Sequence, residues 1–487
     1  MFDANLTNTL TLWGLFAVLI QVGIIIAVSV RVMLTRHPPG SSFAWIIITA
    51  VIPYVGFILY LLFGERPIGQ WREKQYRRIH HERLERIAQL TSDTLPPTLI
   101  DYAPLCRLAS TVSGFPLTTG SRVSLLSETD AMFQSILRDI NAAQSSIAME
   151  FYIWQVGAYV DEVIAALVRA RQRGVEVRLL LDDFGSRKFL QSPCKEQLVA
   201  LGIHIVPAMP MKWLSMLGLE RADLRLHHKT IVIDRRVAYT GSLNMIDPSA
   251  YEDADVVGHW VDALVRIEGP AVDSLNDVFW TDWSIHTGEN APLALASSDA
   301  VGTPDGASVL TIPSGPYSQN DPNFYLILEA LSQAKETLTI TTPYFVPNEA
   351  LLAALQNAAL RGVKITLILP RNSNNRAVAW AGRRHYEALL EVGVNILMFG
   401  QGLLHTKTIL VDGRFALFGT VNLDNRSLHL NFETTLLIFD AALVKSLTML
   451  VDGYQQHSTH IDPVSWHNRP FKDKIKEGLA YLISPLL

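Results

Sequence analysis

The strongest constraint on this chain is that it contains one motif twice. "HHKTIVIDRRVAYTGSLN" (His227 to Asn244) returns as "HTKTILVDGRFALFGTVN" (His405 to Asn422). Both follow H-x-K-x4-D-x6-G-[ST]-x-N, and each element recurs at an offset of 178 residues. The repetition is wider than the motif. "ILRDINAAQSSIAMEFYIW" (Ile136 to Trp154) leads through a helical stretch to "RGVEVRLLLD" (Arg173 to Asp182). "ILEALSQAKETLTITTPYF" (Ile327 to Phe345) leads likewise to "RGVKITLILP" (Arg361 to Pro370). In each copy an amphipathic helix precedes a short β run, a second helix stops at Arg-Gly, and a β-branched run follows as a buried strand. Self-similarity of this kind means a duplicated structural unit. Strand–helix–strand alternation means an α/β sheet covered by helices. We read two α/β halves, about Leu117 to Ser298 and Ala300 to Leu487, joined by "LALASSDAVGTPDGAS" (Leu293 to Ser308).

Residues i and i+2 of a strand share a face, so His227 and Lys229 point the same way, as do His405 and Lys407. The tetrads "TIVI" and "TILV" that follow fit a core strand, and Asp412-Gly413 is a hairpin turn signal. Asp234 and Asp412 complete the motif and are counted with its catalytic set, although a turn aspartate is ordinarily a capping or pairing residue. The return strand brings Ser242 and Asn244, or Thr420 and Asn422, back towards the histidine, where they are expected at the substrate. If the halves pack about a pseudo-twofold axis, two histidines, two lysines and two asparagines surround one anion. That suits a phosphodiester. Lysines and amides neutralise its non-bridging oxygens, most strongly in the transition state. One histidine attacks phosphorus; the other protonates the leaving alkoxide and then deprotonates the incoming hydroxyl. This chemistry needs no metal or cofactor, and no carboxylate cluster for Mg²⁺ is evident in the motifs.

The front of the chain is of another kind. Leu10 to Val30 and Ser41 to Phe63 carry no charged residue, and each matches the ~20 residues that cross a hydrocarbon core. "RVMLTRHPPG" between them is a short turn, so the segment reads as a transmembrane hairpin, with Pro53 tolerated inside the second span. Arg66, Arg72, Lys74, Arg77, Arg78, Arg83 and Arg86 follow it, against Arg31 and Arg36 in the turn. The positive-inside rule therefore puts the large C-terminal part in the cytoplasm. The same basic stretch is either a headgroup-binding segment or a solvated helix. Near the other end, "FKDKIKEGLAYLISPLL" (Phe471 to Leu487) spaces Ile475, Leu479, Leu482 and Ile483 as an amphipathic helix, which docks either on a membrane interface or on the protein body. The expected domains are 1–64, the hairpin; 65–116, a partly helical linker; 117–298 and 299–487, the two halves. The net charge of −5 argues against a nucleic-acid partner. Two cysteines, Cys106 and Cys194, support no disulfide framework or zinc site.

With these residues in view, the chain resembles the phospholipase D superfamily, whose signature is the doubled H-x-K-x4-D motif, and within it the bacterial cardiolipin synthases. The resemblance spans essentially the whole chain, through "AWIIITAVIPYVGFILYLLFGE" (Ala44 to Glu65), "EFYIWQ" (Glu150 to Gln155), "TTPYFVP" (Thr341 to Pro347), "GTVNLDNRSLHLNFE" (Gly419 to Glu433) and the terminal "SPLL". It implies two phospholipase D-like α/β repeats with pseudo-twofold symmetry in a multi-pass protein of the cell (inner) membrane. It also implies phosphatidyl transfer from one phosphatidylglycerol to another through a phosphohistidine, giving cardiolipin and glycerol. By the same resemblance His227 is the nucleophile and His405 the general acid/base, assisted by Lys229, Asn244, Lys407 and Asn422. A carboxylate beyond each motif orients the imidazoles. Aligning "NFETTLLIFDAALV" with "HWVDALVRIEGPAV" gives Glu433 and, after a seven-residue insertion, Asp262. Alternatives left open are a hydrolytic phospholipase D, a transferase with another donor or acceptor alcohol, and a membrane-tethered nuclease.

Overall fold

The computed structural model describes residues 3–35, 39–64, 70–90, 95–210, 224–248, 250–251, 254–289, 302–303, 305–318 and 320–482. They form two compact units, one running to Trp71 and the other covering 72–210 and 224–487.

In the first unit a helix runs from Asp3 to Leu34. Its stretch Trp13–Leu34 is 22 residues long and apolar enough to cross a membrane. The second apolar stretch is helical but not one rod. It is a helix Pro39–Val51, a second helix Pro53–Leu59 and a π turn Tyr60–Gly64. Pro53 has no N–H to give to the preceding turn, and its ring disfavours helical geometry at Ile52 (φ −132°), so the helix breaks there. Val28, Val32 and Tyr60 are buried where the legs meet, while Leu15, Phe16, Leu19 and Ile47 lie exposed. Arg36 and Pro38 of the turn lie outside the described residues.

The second unit is organised by one sheet. Its strands are β1 Thr118–Leu126, β2 Ser146–Phe151, β3 Glu176–Asp182, β4 His204–Ala208, β5 Lys229–Ile233, β6 Val237–Gly241 and β7 Leu264–Glu268, then β8 Ala307–Ser314, β9 Thr337–Thr341, β10 Lys364–Pro370, β11 Asn395–Phe399, β12 Thr408–Val411, β13 Phe415–Gly419, β14 Glu433–Phe439 and β15 Ser458–His460. Their order is β15-β11-β10-β9-β12-β13-β14-β8-β1-β7-β6-β5-β2-β3-β4. Either side of the β8–β1 seam the sequence of strands is the same, seven positions later in number, with β15 added at the edge of the second half. The seam is antiparallel, with Thr118 opposite Val309 and Ser121 opposite Ala307. Within each half β2–β3–β4 and β9–β10–β11 are parallel, and β3 and β10, between two neighbours, are mostly buried, which is why they read as apolar runs. The Arg-Gly helix stops are left-handed turns, with Gly174 at φ +91° and Gly362 at φ +94°. Each half buries its own apolar core. One gathers Ile136, Leu167, Leu179 and Ile231, the other Ile327, Leu338, Leu367 and Ile409.

Three expectations are refined. Most of the linker Leu293 to Ser308 lies outside the described residues, as do Arg66, Ile483 and the "SPLL" terminus. The C-terminal helix Phe471–Leu482 packs on the helix Arg376–Arg383, burying Ala480, yet leaves Phe471, Ile475, Leu479 and Leu482 exposed. The basic helix Gln70–Leu90 is not solvated all round. Arg83 is buried, its guanidinium donating to Asp277 Oδ2 (3.1 Å) and Thr281 Oγ1 (2.6 Å) and lying 4.2 Å over Phe115.

Candidate active site

Each motif is a hairpin, β5–β6 or β12–β13, with its histidine just before the first strand. The aspartates stand at the far end, at the turn, in left-handed backbone (φ 51° and 53°). Asp234 accepts from the backbone N–H groups of Gln144, Ser145 and Ser146 at 2.7–2.9 Å. Asp412 accepts from those of Lys335, Glu336 and Thr337 at 2.8–2.9 Å. They fasten the hairpin turn to the start of β2 or β9, and this corrects their place in the catalytic set. A carboxylate saturated by three amides at the opposite end of a strand has no reach to the histidine.

The histidine ends of the two hairpins cross between halves. His227 N–H donates to Phe432 O (2.9 Å), and His405 N–H to Val261 O (2.9 Å). Leu403–Leu404 pairs in parallel with Trp260–Val261, and Leu226 bridges Phe432. Phe432 and Val261 immediately precede the two carboxylates, so each carboxylate arrives at the histidine of the other half. His227 Nδ1 lies 2.8 Å from Glu433 Oε2, and His405 Nδ1 lies 2.7 Å from Asp262 Oδ1. An ionised carboxylate on Nδ1 selects the Nδ1–H tautomer and leaves the Nε2 lone pair available.

Ser242 and Thr420 are fully buried, and their hydroxyls donate to Asp262 Oδ1 and Glu433 Oε2 at 2.6 Å each. They also accept from the N–H of Ala263 and Thr434. This corrects their expected place at the substrate. A hydroxyl with one donor and both roles taken holds the carboxylate instead. Lys229 and Lys407 are buried and donate to the carbonyls of their own histidines, His227 (3.0 Å) and His405 (2.6 Å). Asn244 Oδ1 accepts from Ile153 N–H, while Asn422 donates to Ser427 Oγ and its buried Oδ1 has no partner among the described residues.

The electrostatics are those of a buried cationic site. Burial, then Lys407, holds His405 down at about 3, and burial with both lysines holds His227 well below the usual imidazole range. Burial lowers Lys229 to about 8; burial and then Lys229 push Lys407 well down. An anion between them reverses those shifts, because it favours the charged forms. The carboxylates differ. Burial raises Glu433 to about 7, whereas for Asp262 burial is outweighed by His405 and Lys407, which keep it below the ordinary aspartate range.

A second layer, which motif reading missed, breaks the symmetry further. Beneath His227, His228 is buried with Nδ1 2.7 Å from Asp282 Oδ2 and 3.5 Å from Glu150 Oε1. Burial opposes charge on His228, but Glu150 and Asp282 raise it well above the usual range. These three are the described residues whose ligand atoms lie close enough to share an ion, all within 4.8 Å. Their short contact is a hydrogen bond, and the arrangement is that of a charged network. The second half has Thr406 in place of His228, with its hydroxyl 3.1 Å from that of Tyr454, and Thr341 at the position of Glu150. The only hint in the sequence was a lone acid inside the apolar run "SIAMEF".

A duplicated α/β sheet with crossed histidine–carboxylate pairs around two lysines is the phospholipase D-like class of site. A family profile described as "Cardiolipin synthase, PLD-like domain" matches residues 136–283 and 327–452, and a "Phospholipase_D-nuclease N-terminal" profile matches 23–65. The chain is 38% identical over 470 residues to cardiolipin synthase A of Serratia proteamaculans (strain 568), covering 95% of this chain and 96% of that protein. It is 39% identical over 472 residues to that of Klebsiella pneumoniae subsp. pneumoniae, with the same shares covered. The fold is that of a crystal structure of phosphatidylserine synthase from Haemophilus influenzae Rd KW20 (TM-score 0.61, 17% identity, 79% of this chain and 100% of that one). The chain belongs to the cardiolipin synthase family, phosphatidyltransferases of the phospholipase D superfamily.

Proposed function

We propose that this protein joins two phosphatidylglycerols into cardiolipin and glycerol through a phosphohistidine on His227. The observation that carries the reading is the crossed pairing of His227 with Glu433 and His405 with Asp262, which leaves both Nε2 atoms for chemistry. His227 Nε2 attacks phosphorus of the first phosphatidylglycerol. The bond to the terminal glycerol oxygen breaks, and His405 gives that oxygen its proton. The primary hydroxyl of the second phosphatidylglycerol then loses its proton to His405 and attacks phosphorus, and the P–N bond breaks. Lys229 and Lys407, with Asn244 and Asn422, neutralise the non-bridging oxygens, an effect that grows as charge develops. His227 is the better nucleophile because its side chain is 12% exposed against 3% for His405. His405 can carry the acid proton once the phosphate anion is bound, because Asp262, held ionised, stabilises its protonated form. Ser242 and Thr420 position the carboxylates.

We take the domains as 1–64, 65–116, 117–298 and 299–487. The broken second apolar stretch crosses the membrane beside Trp13–Leu34, and the body lies in the cytoplasm. Both lipid substrates are thereby presented at one surface, which favours a lipid alcohol over water as acceptor.

The test is reconstitution with phosphatidylglycerol alone. Cardiolipin plus glycerol, with no added nucleotide or metal, is the expected product pair. Phosphatidic acid as the main product would make the protein a hydrolase, and an unchanged lipid would sink the reading.

A further inference from the structure

The second half carries a cavity beside its outer strands. It has a volume of about 320 Å³ and lies where the C-terminal ends of β10 and β11 meet the helix Arg376–Arg383. Arg371, Arg376 and Arg383 line it together with Asn372 and Ser373, and no carboxylate is among the described residues of its wall. A neighbouring groove of about 400 Å³ shares Arg371 and Arg383 with it. Three arginines on one cavity wall stand out in a chain of net charge −5. Arg371 donates to Thr459 Oγ1 (2.9 Å), which fixes one of them in place. In the first half the corresponding strand end is Asp182-Asp183, and Asp182 is consumed by the backbone N–H groups of Phe184, Gly185 and Leu226. The two strand ends therefore differ in charge: aspartates in the first half, Arg371 in the second.

The cavity's walls are connected through neighbouring residues to the His405 side of the catalytic centre. Val256 lines it, and the adjacent Val257 packs with Trp260 and Leu403. Trp260 lies 4.3 Å from the His405 ring, between ring centroids. Phe345 lines it too, and the strand Phe345–Val346 pairs in parallel with Leu423–Asp424, directly after Asn422. On its outer side the helix Arg376–Arg383 is packed by the C-terminal helix, whose Phe471, Ile475, Leu479 and Leu482 stay exposed beside Lys472, Lys474 and Lys476. An apolar stripe flanked by lysines matches an anionic lipid surface.

We infer that this cavity is a phosphodiester subsite, and that it holds the phosphate of the acceptor lipid while His405 handles that lipid's hydroxyl. The inference rests on the transfer reaction proposed above. In that reaction the acceptor's own phosphate never reacts, yet it must be bound if a lipid is to be chosen over water. Guanidinium groups suit the task, since they present planar forks of donors to phosphate oxygens and remain charged throughout. The donor half needs no second anion site, consistent with the aspartates at its strand end.

Two reactions separate the roles. Exchange of the phosphatidylglycerol headgroup with labelled glycerol uses the donor site and both histidines but a neutral acceptor. Cardiolipin formation additionally needs the acceptor phosphate. Full-length Arg376→Gln/Arg383→Gln protein in phosphatidylglycerol vesicles is expected to lose cardiolipin formation by about tenfold or more, through a raised apparent KM for lipid. Its glycerol exchange is expected to stay within about twofold of wild type, which also reports that the variant is folded. Arg383→Lys should recover part of the loss. Equal loss of both reactions, or no loss of either, overturns the inference. Millimolar inorganic phosphate should leave wild-type cardiolipin formation unchanged. If phosphate inhibits the wild type but not the double variant, the cavity binds free phosphate and the lipid assignment is overturned. Failure of glycerol exchange in the wild type would count against the transfer reaction itself, a result distinguishable from the others.

Discussion

The two halves of the body have the same strand order, the same hairpin and the same His–Lys pair, yet they surround their histidines differently. His227 sits over a buried charged network of His228, Glu150 and Asp282; His405 has a hydroxyl pair, Thr406 and Tyr454, in that layer. Glu433, which serves His227, is raised to about 7, while Asp262, which serves His405, stays below the ordinary range. A duplicated site can therefore divide labour without changing the residues that touch substrate. The division lies one layer down, in what fixes the proton on each carboxylate and imidazole.

The largest expected effects test that division directly. His227→Ala and His405→Ala should each lower turnover by about 10³-fold or more, since groups that act as a unit fail together. Rapid quench with labelled lipid should trap a phosphatidyl-enzyme in His405→Ala but none in His227→Ala, and the reverse pattern would exchange the two roles. Asp262→Asn and Glu433→Gln should follow at about 10²- to 10⁴-fold, because the amide no longer enforces the Nδ1–H tautomer. Glu433→Gln should slow formation of the covalent species, whereas Asp262→Asn should slow the acid/base steps. Identical kinetic phases for the two would erase the proposed asymmetry.

Next in size is stability. His228→Asn leaves Glu150 and Asp282 buried without their cation and should cost about 3–5 kcal/mol. Thr406→Ala at the equivalent position should cost about 1 kcal/mol. Denaturant titration of the two detergent-solubilised variants measures the difference, and equal losses would mean that the network carries no special weight. The smallest effect is on pH dependence. kcat/KM should fall below about pH 7 as Glu433 takes up a proton and can no longer enforce the Nδ1–H tautomer of His227, and above about pH 8 as Lys229 loses its charge. The Thr420 hydroxyl lowers Glu433, so Thr420→Val should move the acid limb up by about one unit. Ser242→Ala acts on Asp262, far below that range, and should leave the limb where it is.

Much of this was legible in the sequence for a physical reason. A polar pair at i and i+2 ahead of an apolar strand is conspicuous, and its return at constant offset made the two-half fold and the His–Lys pairs readable. Glu433 and Asp262 could be found by aligning the copies, but their crossing could not, because intrachain spacing says nothing about which half a strand end faces. Ser242 and Thr420 were misplaced for the same reason: proximity to the histidine was readable, the direction of the hydroxyl was not. Glu150, His228 and Asp282 lie far apart in sequence and meet only when helix Ala271–Thr287 packs on the sheet. In the membrane arm, hydropathy registered composition, while the break at Pro53 depends on a single backbone N–H.

The crossed carboxylates have a consequence for how such a protein can change. Each half lends the other the group that tunes its imidazole, so a substitution in one repeat is felt in the chemistry of its sister. Neither repeat can drift, be excised or be swapped for a distant cousin on its own terms. Two copies of a single repeat associating as a dimer would form the same exchange. Fusion into one chain then frees the copies to specialise while keeping them hostage to each other.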